Sequence, residues 1–204
     1  MKLKSMLLVG VLSLVLIFSS VAFAYEAQKV SAPLALGQEW KVDPDMAYSA
    51  FSGDNGWNVW VFWDDNNVYL QYDVYTDLPM GNNHDEHAIW NADSIEWEIT
   101  DGLNKKKWMV ALTSKCYQIV TRQPRTIIKP GEGVDVLIKE TDFGYRGQII
   151  FDRSHPHMAK FPIEVGYSVD MAVQVNDSKD GNDRTRILGG FIDAGKYSEL
   201  IFVD

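Results

Sequence analysis

The chain has 204 residues, a formal net charge of −9 and a single cysteine. The acidic balance argues against nucleic-acid binding, because phosphates are bound by Lys and Arg patches. One cysteine excludes an internal disulfide, so a hydrophobic core must stabilise the fold, and seven Trp, nine Tyr and nine Phe provide its bulk. Cys116 lies in an apolar strand pattern and is interpreted as a small buried hydrophobe.

The first residues have the three parts of a secretory signal peptide. Lys2 and Lys4 form a basic region, residues 6–18 are apolar, and residues 22–24 (Ala-Phe-Ala) form a cleavage motif. The apolar run is too short for a comfortable membrane span, and no cysteine follows it to carry a lipid anchor. We therefore predict a signal peptide over residues 1–24 and a secreted or periplasmic protein. Loss of the two lysines changes the charge from −9 to −11.

After the predicted cleavage site, the chain shows short strand patterns and no sustained helical period. Residues 25–36 are interpreted as a loosely ordered lead-in. Aromatic and β-branched residues, alternating apolar and polar positions, and turn clusters mark about ten strands. The predicted strands are residues 46–52, 57–63, 68–74, 93–99, 107–113, 116–122, 134–140, 143–151, 165–175, 184–191 and 197–203.

This spacing of short strands predicts an all-β fold, an antiparallel β-sandwich with two sheets of the jelly-roll or immunoglobulin-like type. No internal repeat and no linker interrupts the pattern. We therefore predict one domain over residues 25–204.

The stretch of residues 90–99 (WNADSIEWEI) is the main candidate for a binding site. It reads as a turn that contains Trp90, followed by a strand with Ile95 and Trp97 on one face and Glu96 and Glu98 on the other. An aromatic ring can stack on the C–H face of a pyranose, while carboxylates accept hydrogen bonds from its hydroxyls. A core strand with a capping Trp is the open alternative.

Four stretches make the sequence similar to a known family. They are residues 58–74, which contain VFWDDNNVYLQYDV, residues 90–99 with W..DSIEWEI, Gly144-Tyr145, and residues 169–184 with Val175-Asn176-Asp177 followed by Gly181 and Arg184. The chain resembles the family 9 carbohydrate-binding module, a β-sandwich found on xylanases, and the wider superfamily that this module shares with DOMON domains. The resemblance spans nearly all of residues 33–204.

The resemblance implies a non-catalytic module that holds a sugar between two tryptophans. Trp90 matches the first tryptophan and Glu96 the acid on the following strand. Met109 and Ala111 stand where the best-known members have an arginine and an asparagine. The loop of residues 189–195, which carries the second tryptophan in the family, holds none here.

Phe191 and Tyr197 are the aromatic residues predicted to replace that second tryptophan. The implied partners are mono-, oligo- or polysaccharides of the xylan or cellulose type, together with a glycoside hydrolase, in carbohydrate catabolism. No nucleic acid, and no membrane after signal cleavage, is expected as a partner.

Glu96 and Glu98 are not expected to form a glycosidase pair. Their backbone separation of about 7 Å is close to that of catalytic carboxylates. Catalytic carboxylates, however, flank the sugar from opposite sides, which two residues on one strand face do not. We therefore predict no enzymatic activity, in keeping with the rule that fold alone confers no chemistry.

Two further ligand hypotheses remain open. Asn176, Ser178 and Asp180 place oxygen atoms at alternate positions before a glycine, as calcium loops do, although a hairpin turn is the default interpretation. The resemblance adds that the family is known for structural calcium; no cofactor is otherwise required. The histidines at residues 84–87 and 155–157 are too few per loop to predict a zinc or copper site.

DOMON relatives suggest non-covalent b-type haem as an alternative ligand, in an electron-transfer domain. Met80, Met109 and Met158 and the histidines at residues 155–157 are the candidate axial ligands. A structural or interaction domain without a ligand is the third hypothesis, which the residues at positions 109 and 111 and the missing second tryptophan keep open.

Overall fold

The computed structural model describes residues 24–85, 88–112, 117–122, 125–128 and 131–204, without the side chains of residues 109–127. The predicted signal peptide up to residue 23, Cys116 and the side chains of Met109 and Ala111 therefore lie outside the described part of the chain. Within it are 13 strands and two short 3-10 turns, Pro44–Met46 and Ile89–Asn91. The strands are β1 (Tyr25–Lys29), β2 (Tyr48–Ser52), β3 (Asn55–Trp63), β4 (Asn67–Tyr75), β5 (Ser94–Thr100), β6 (Lys105–Leu112), β7 (Tyr117–Arg122), β8 (Arg125–Ile128), β9 (Val134–Thr141), β10 (Gly144–Asp152), β11 (Ser168–Ser178), β12 (Arg184–Leu188) and β13 (Ser198–Val203). No helix among the described residues is long and apolar enough to span a membrane.

The strands form one mixed sheet in the order β8-β7-β6-β5-β11-β13-β1-β3-β4-β10-β9, with β12 paired to β11 and β2 paired to β3. The all-β prediction is confirmed, but the purely antiparallel prediction is wrong. β1 runs parallel to β13, with Tyr25 opposite Leu200, and parallel to β3, with Gln28 opposite Phe62. The interpretation of residues 25–36 as a loose lead-in is also wrong for β1, which lies inside the sheet.

The main core forms because apolar residues alternate along the strands. In β5, Ile95, Trp97 and Ile99 are buried in this core, as the period-2 pattern predicts. The sheet is curled, so that Trp97 and Trp108 contact Phe151 of β10, with ring centroids 5.1 and 5.0 Å away. Trp97 and Trp108 stack on each other with centroids 5.0 Å apart. These contacts join strands that are distant in the sheet order.

A second, smaller cluster covers the other face of β3 and β4. There Trp60, Phe62 and Tyr69 are buried under Trp40, whose ring meets Tyr69 edge-on at 5.8 Å. Trp40 belongs to the segment of residues 30–42 that follows β1 and lies across this face. The Trp40 Nε1–H donates to the Ala35 carbonyl at 2.9 Å, which fixes the ring within its own segment. This segment therefore shields part of the sheet from solvent.

Gly144 at the start of β10 gives a direct test of the pairing of β10 with β4. Its φ is +138°, and a Cβ added there would lie 2.3 Å from the Val74 carbonyl oxygen. We expect Gly144→Ala to lower the free energy of unfolding by about 2 to 3 kcal/mol in a urea titration, because strain and a backbone clash add. Gly102→Ala is the control: φ is +84° but nothing lies within 4 Å of the added Cβ, so about 1 kcal/mol is expected. Equal losses would argue against the clash.

Candidate functional site

The polar side of β5, β6 and β11 carries a set of charged and amide side chains that are buried at its centre and exposed at its rim. We call it the polar cluster; its members are Ser94, Glu96, Glu98, Lys105, Lys107, Gln174, Asn176, Arg184, Asp193 and Tyr197. Residues that alternate with the core positions of a strand point to the opposite face, which here places Glu96 and Glu98 away from Trp97. The predicted assignment of the two faces of this strand is confirmed.

Glu96 is the centre of the polar cluster and is only 3% exposed. Its Oε1 accepts hydrogen bonds from Asn176 Nδ2 at 2.9 Å and Gln174 Nε2 at 3.4 Å. Its Oε2 forms an ion pair with Lys107 Nζ, which is similarly buried. Because a buried charge is tolerated only when it is paired and hydrogen-bonded, Lys107 and the two amides hold this carboxylate in place.

Glu98 forms a second ion pair nearer to solvent. Lys105 Nζ lies 2.7 Å from Glu98 Oε1, and the Tyr197 hydroxyl donates to the same oxygen. The Glu98 carboxylate raises the pKa of Lys105. Burial raises the pKa of Tyr197, and Glu98 raises it further, so this hydroxyl stays protonated and available as a donor. Tyr197 thus lies in the polar cluster, with Lys105 over its ring at 5.4 Å from the centroid.

The loop between β12 and β13 closes over the amide of Gln174. Gln174 Nε2 donates to Asp193 Oδ2 at 3.2 Å, and the Asp193 backbone N–H donates to Gln174 Oε1 at 3.2 Å. Arg184 Nη1 donates to Asn176 Oδ1 at 3.1 Å. The cluster therefore combines ammonium and guanidinium donors with carboxylate and amide acceptors, the groups that bind hydroxyls.

Trp90 lies in the 3-10 turn Ile89–Asn91 and is partly exposed. The turn contacts β5, β6 and β11, the three strands that carry most of the polar cluster. It is anchored by buried Ile89, whose carbonyl accepts from Asn82 Nδ2 at 2.7 Å. The structure therefore places Trp90 in a turn directly before the strand, next to the strands of Glu96.

Phe191 lies elsewhere. Its ring packs against Tyr48 and Trp57, both at a centroid distance of 5.8 Å, and it packs against the main core. Tyr197, by contrast, donates a hydrogen bond to Glu98 and accepts one from Lys105, and these two residues form an ion pair with each other. Of the two aromatic residues predicted to replace the second tryptophan, the structure therefore brings Tyr197 into the polar cluster and places Phe191 on the core.

Sequence reasoning missed Lys107, Gln174 and Asp193. A signal for two of them was present: Lys107 alternates with core residue Trp108, and Gln174 interrupts the apolar run of β11 on the face opposite Val173 and Val175. Asp193 lies in a loop and joins the cluster through the closing of that loop, which no local pattern indicates.

The predicted calcium residues do not fit a shared ion site in this structure. Asn176 is committed to Glu96 and Ser94, and the Ser178 hydroxyl donates to the Asp183 carbonyl at 2.8 Å. Asp180 accepts from the backbone N–H of Asn182 at 2.9 Å within its own turn. Residues 176–178 belong to β11 rather than to the predicted turn. Among the described residues, no group of three or more His, Cys, Asp or Glu could hold a metal ion.

The described side chains proposed for haem are not arranged around a common space. Met158 is buried in the main core and Met80 packs against that core. The rings of His155 and His157 stack on each other with centroids 4.6 Å apart. The side chain of Met109, the remaining candidate, lies outside the described part of the chain.

Of the two histidines in residues 84–87, the structure describes only His84. His84 Nε2 forms a hydrogen bond with the Asn182 carbonyl, and its backbone N–H donates to Asn82 Oδ1 at 3.0 Å. His84 is therefore tied to the turn after β11 and not to His155 or His157. His87 lies outside the described residues.

Asp93, directly before β5, locks the loop of Trp90 to the end of β11. Its Oδ2 accepts from the Gly81 N–H at 2.6 Å and its Oδ1 from the Ser178 N–H at 2.8 Å. Burial raises the pKa of Asp93 from 3.8 to about 7, against the effect of these hydrogen bonds, and neighbouring Asp177 raises it further. Asp177 in turn pairs with Arg186. This network fixes the turn that presents Trp90.

Comparisons with known proteins identify the family and the fold. Residues 39–196 match the family model "Carbohydrate family 9 binding domain-like". A carbohydrate-binding module family 9 from Caldicellulosiruptor kristjanssonii in complex with cellotriose superposes with a TM-score of 0.61 at 16% identity, covering 89% of this chain and 94% of that chain. Its glucose complex gives a TM-score of 0.58 at 14% identity, covering 88% and 95%. A comparison with curated proteins found no match.

The family match spans well over half of the chain, and the superposed structures share its fold over almost their whole length. The chain therefore belongs to the carbohydrate family 9 binding domain-like family, and it is a non-catalytic carbohydrate-binding module rather than an enzyme.

Proposed function

We propose that the chain binds neutral saccharides at the polar cluster, with Trp90 as the stacking platform. The single observation that carries this proposal is a partly exposed tryptophan in a turn that contacts β5, β6 and β11, the strands that carry carboxylate, amide and ammonium groups. A sugar ring needs both an apolar surface and paired donors and acceptors. The cellotriose and glucose complexes of structures with this fold support sugars of the cellulose type.

The two carboxylates of β5 fit binding better than catalysis. Glu96 is paired with Lys107 and Glu98 with Lys105, so neither is a free acid or base. In the proposed site, Lys105 and Tyr197 contact the ligand from the rim, while Glu96 orients Gln174 and Asn176 beneath them. Tyr197 takes the place that the family gives to the second tryptophan.

Three broader statements belong to the same proposal. The curled sheet forms two packed layers of a β-sandwich, which the contacts of Trp97 and Trp108 with Phe151 support. The pattern of residues 1–24 supports export to the periplasm or the exterior. There the module holds polysaccharide for a glycoside hydrolase, as the family resemblance implies.

Replacing Trp90 with Ala tests the site. We expect cellotriose binding, measured by isothermal titration calorimetry, to weaken at least tenfold, which corresponds to about 1.4 kcal/mol, because the stacking surface is lost. The fold should persist, since Trp90 is partly exposed and buried Ile89 anchors the turn.

Val165→Ala is the control, because Val165 is an apolar side chain that is 52% exposed and lies beside Lys29 and Trp63, on a part of the surface that holds no member of the polar cluster. Its affinity for cellotriose should equal that of the unmodified protein. Unchanged binding by Trp90→Ala would show that the sugar lies elsewhere and would contradict the assignment of Trp90.

A further inference from the structure

The outer face of β9 and β10 borders a groove that the proposed function does not use. Its volume is about 330 Å³, and its walls include Glu39, Lys139, Glu140, Thr141, Arg146 and Gln148. The other face of β10 carries Tyr145, Ile149 and Phe151 into the main core. The groove thus lies on strands other than those of the polar cluster, and its volume is within the range of about 300 to 1,000 Å³ of ligand pockets.

Arg146 is held rigidly at one wall of the groove. Its Nε and Nη2 donate to the two oxygens of Asp73, both at 2.6 Å, and Asp73 is only 2% exposed. Of the five guanidinium N–H groups, these bonds use two and leave three for a ligand. A buried carboxylate that orients a partly exposed arginine is the arrangement of a preorganised donor.

The floor and the opposite wall are also fixed. Gln148 is 5% exposed, and its Oε1 accepts from the Gly37 N–H at 2.8 Å while its Nε2 donates to the Gln38 carbonyl at 2.8 Å. Gln148 Nε2 also lies 3.3 Å from Gln71 Oε1 of β4. Residues 37–39 are thereby tied to the sheet and hold Glu39 at the edge of the groove.

Thr141 supplies an independent sign of a missing partner. Its Oγ1 is buried and has no hydrogen-bond partner in the part of the chain that the structure describes. A buried hydroxyl that has lost water without gaining a partner is costly, and such groups are rare in folded proteins. Thr141 also lines the groove, and a ligand bound there is the partner that we infer for this hydroxyl.

We propose that this groove is a second saccharide-binding site. The lining combines donors, from Arg146 and Lys139, with acceptors, from Glu39 and Glu140. The two carboxylates would repel a simple anion, and the two basic side chains would repel a simple cation. A sugar hydroxyl, by contrast, both donates and accepts hydrogen bonds. The Arg146 guanidinium also lies 5.9 Å from the ring centroid of Phe143, a contact that helps to hold it in place. The volume suits one or two sugar rings.

The site is tested by ¹H–¹⁵N NMR during titration with cellotriose and, separately, xylotriose. The Gln148 side-chain amide and the Arg146 Nε–H report on the groove, and the Trp90 Nε1–H reports on the polar cluster. Up to about 20 mM sugar is needed, because a shallow site is expected to bind in roughly the millimolar range. We expect both sets of resonances to shift, with different midpoints.

Variants assign each response to its site. Thr141→Arg fills the groove and should weaken the Gln148 response at least tenfold, while Trp90→Ala should leave it unchanged. Arg146→Lys keeps a positive charge beside Asp73 but loses the bidentate guanidinium, so it should also weaken the Gln148 response. If Thr141→Arg does not fold, the Arg146→Lys result tests the groove alone. Asp142→Asn, an exposed change beside the groove, is the control and should leave the response intact.

The two proposals fail separately. If the Gln148 and Arg146 resonances stay fixed with both sugars, or if the Gln148 amide shifts equally in the Arg146→Lys variant, the second site is overturned, whatever Trp90 reports. If only the groove responds, the second site stands and the assignment of the polar cluster falls.

Discussion

Lys107→Met is expected to lower the free energy of unfolding by about 3 to 5 kcal/mol. Lys107 forms an ion pair with Glu96, and the two side chains are 5% and 4% exposed. Methionine keeps most of the length of the lysine stem but not its charge. The Glu96 carboxylate would then stay buried with only the amide donors of Gln174 and Asn176. Urea unfolding, followed by tryptophan fluorescence at neutral pH, measures this loss.

A double variant separates the cost of an unpaired buried charge from the cost of altered packing. Glu96→Gln combined with Lys107→Met leaves no buried charge at the pair and should recover most of the lost stability, because removing both partners is far cheaper than removing one. Lys29→Met is the surface control: Asp65 in the Lys29–Asp65 pair is 83% exposed, so the pair should contribute less than about 1 kcal/mol. A Lys107→Met protein as stable as the unmodified one would contradict the buried pair.

Asp93 should make the protein less stable as the pH rises from about 4 to 7. Its pKa is about 7 in the folded protein, above the ordinary value of 3.8 that the unfolded chain has. Below that ordinary value, both states carry the proton and the stability that the raised pKa provides is fully present. Above it, the unfolded chain releases the proton while the folded protein keeps it until its own pKa, so about 1.4 kcal/mol is lost per pH unit. The full loss over this window is about 4 kcal/mol.

Asp93→Asn isolates this effect from other titrating groups. The asparagine keeps one acceptor for the Gly81 or Ser178 N–H but does not titrate. The stability of the unmodified protein relative to Asp93→Asn should therefore fall as the pH is raised from about 4 to about 8. Urea unfolding in buffer with EDTA, which removes free calcium, measures the difference at each pH. A constant difference would show that the Asp93 pKa is not raised.

The sequence predicts best what depends on alternation along a single strand. The two faces of β5 follow from period 2, and the hairpins β3–β4 and β9–β10 follow from turn clusters between apolar runs. β1 was missed because its partners are β13 and β3, and its five residues YEAQK have little strand character of their own. Parallel pairing between distant segments has no local signature.

The candidate site shows the same division. Trp90 and Glu96 were found because one stretch carries both. The partner of Glu96 was missed because it depends on a diagonal contact: the backbone register places Met109 opposite Glu96 and Lys107 opposite Glu98, yet Lys107 reaches Glu96. Lysine is long enough for such a diagonal between antiparallel strands. A cation therefore does lie beside Glu96, although position 109 holds no arginine.

The position of β1 makes completion of the sheet depend on a strand from the far end of the described chain. β1 comes from the first described residues, β13 comes from the last, and the two pair directly, so the sheet is completed only by contacts of very long sequence separation. Such topologies fold slowly, on a scale of roughly milliseconds to seconds. Until β13 arrives, one edge of β1 and residues 168–171 of β11 lack their strand partner and are open to pairing with other chains. We therefore expect the nascent protein to be most prone to aggregation before β13 has been made.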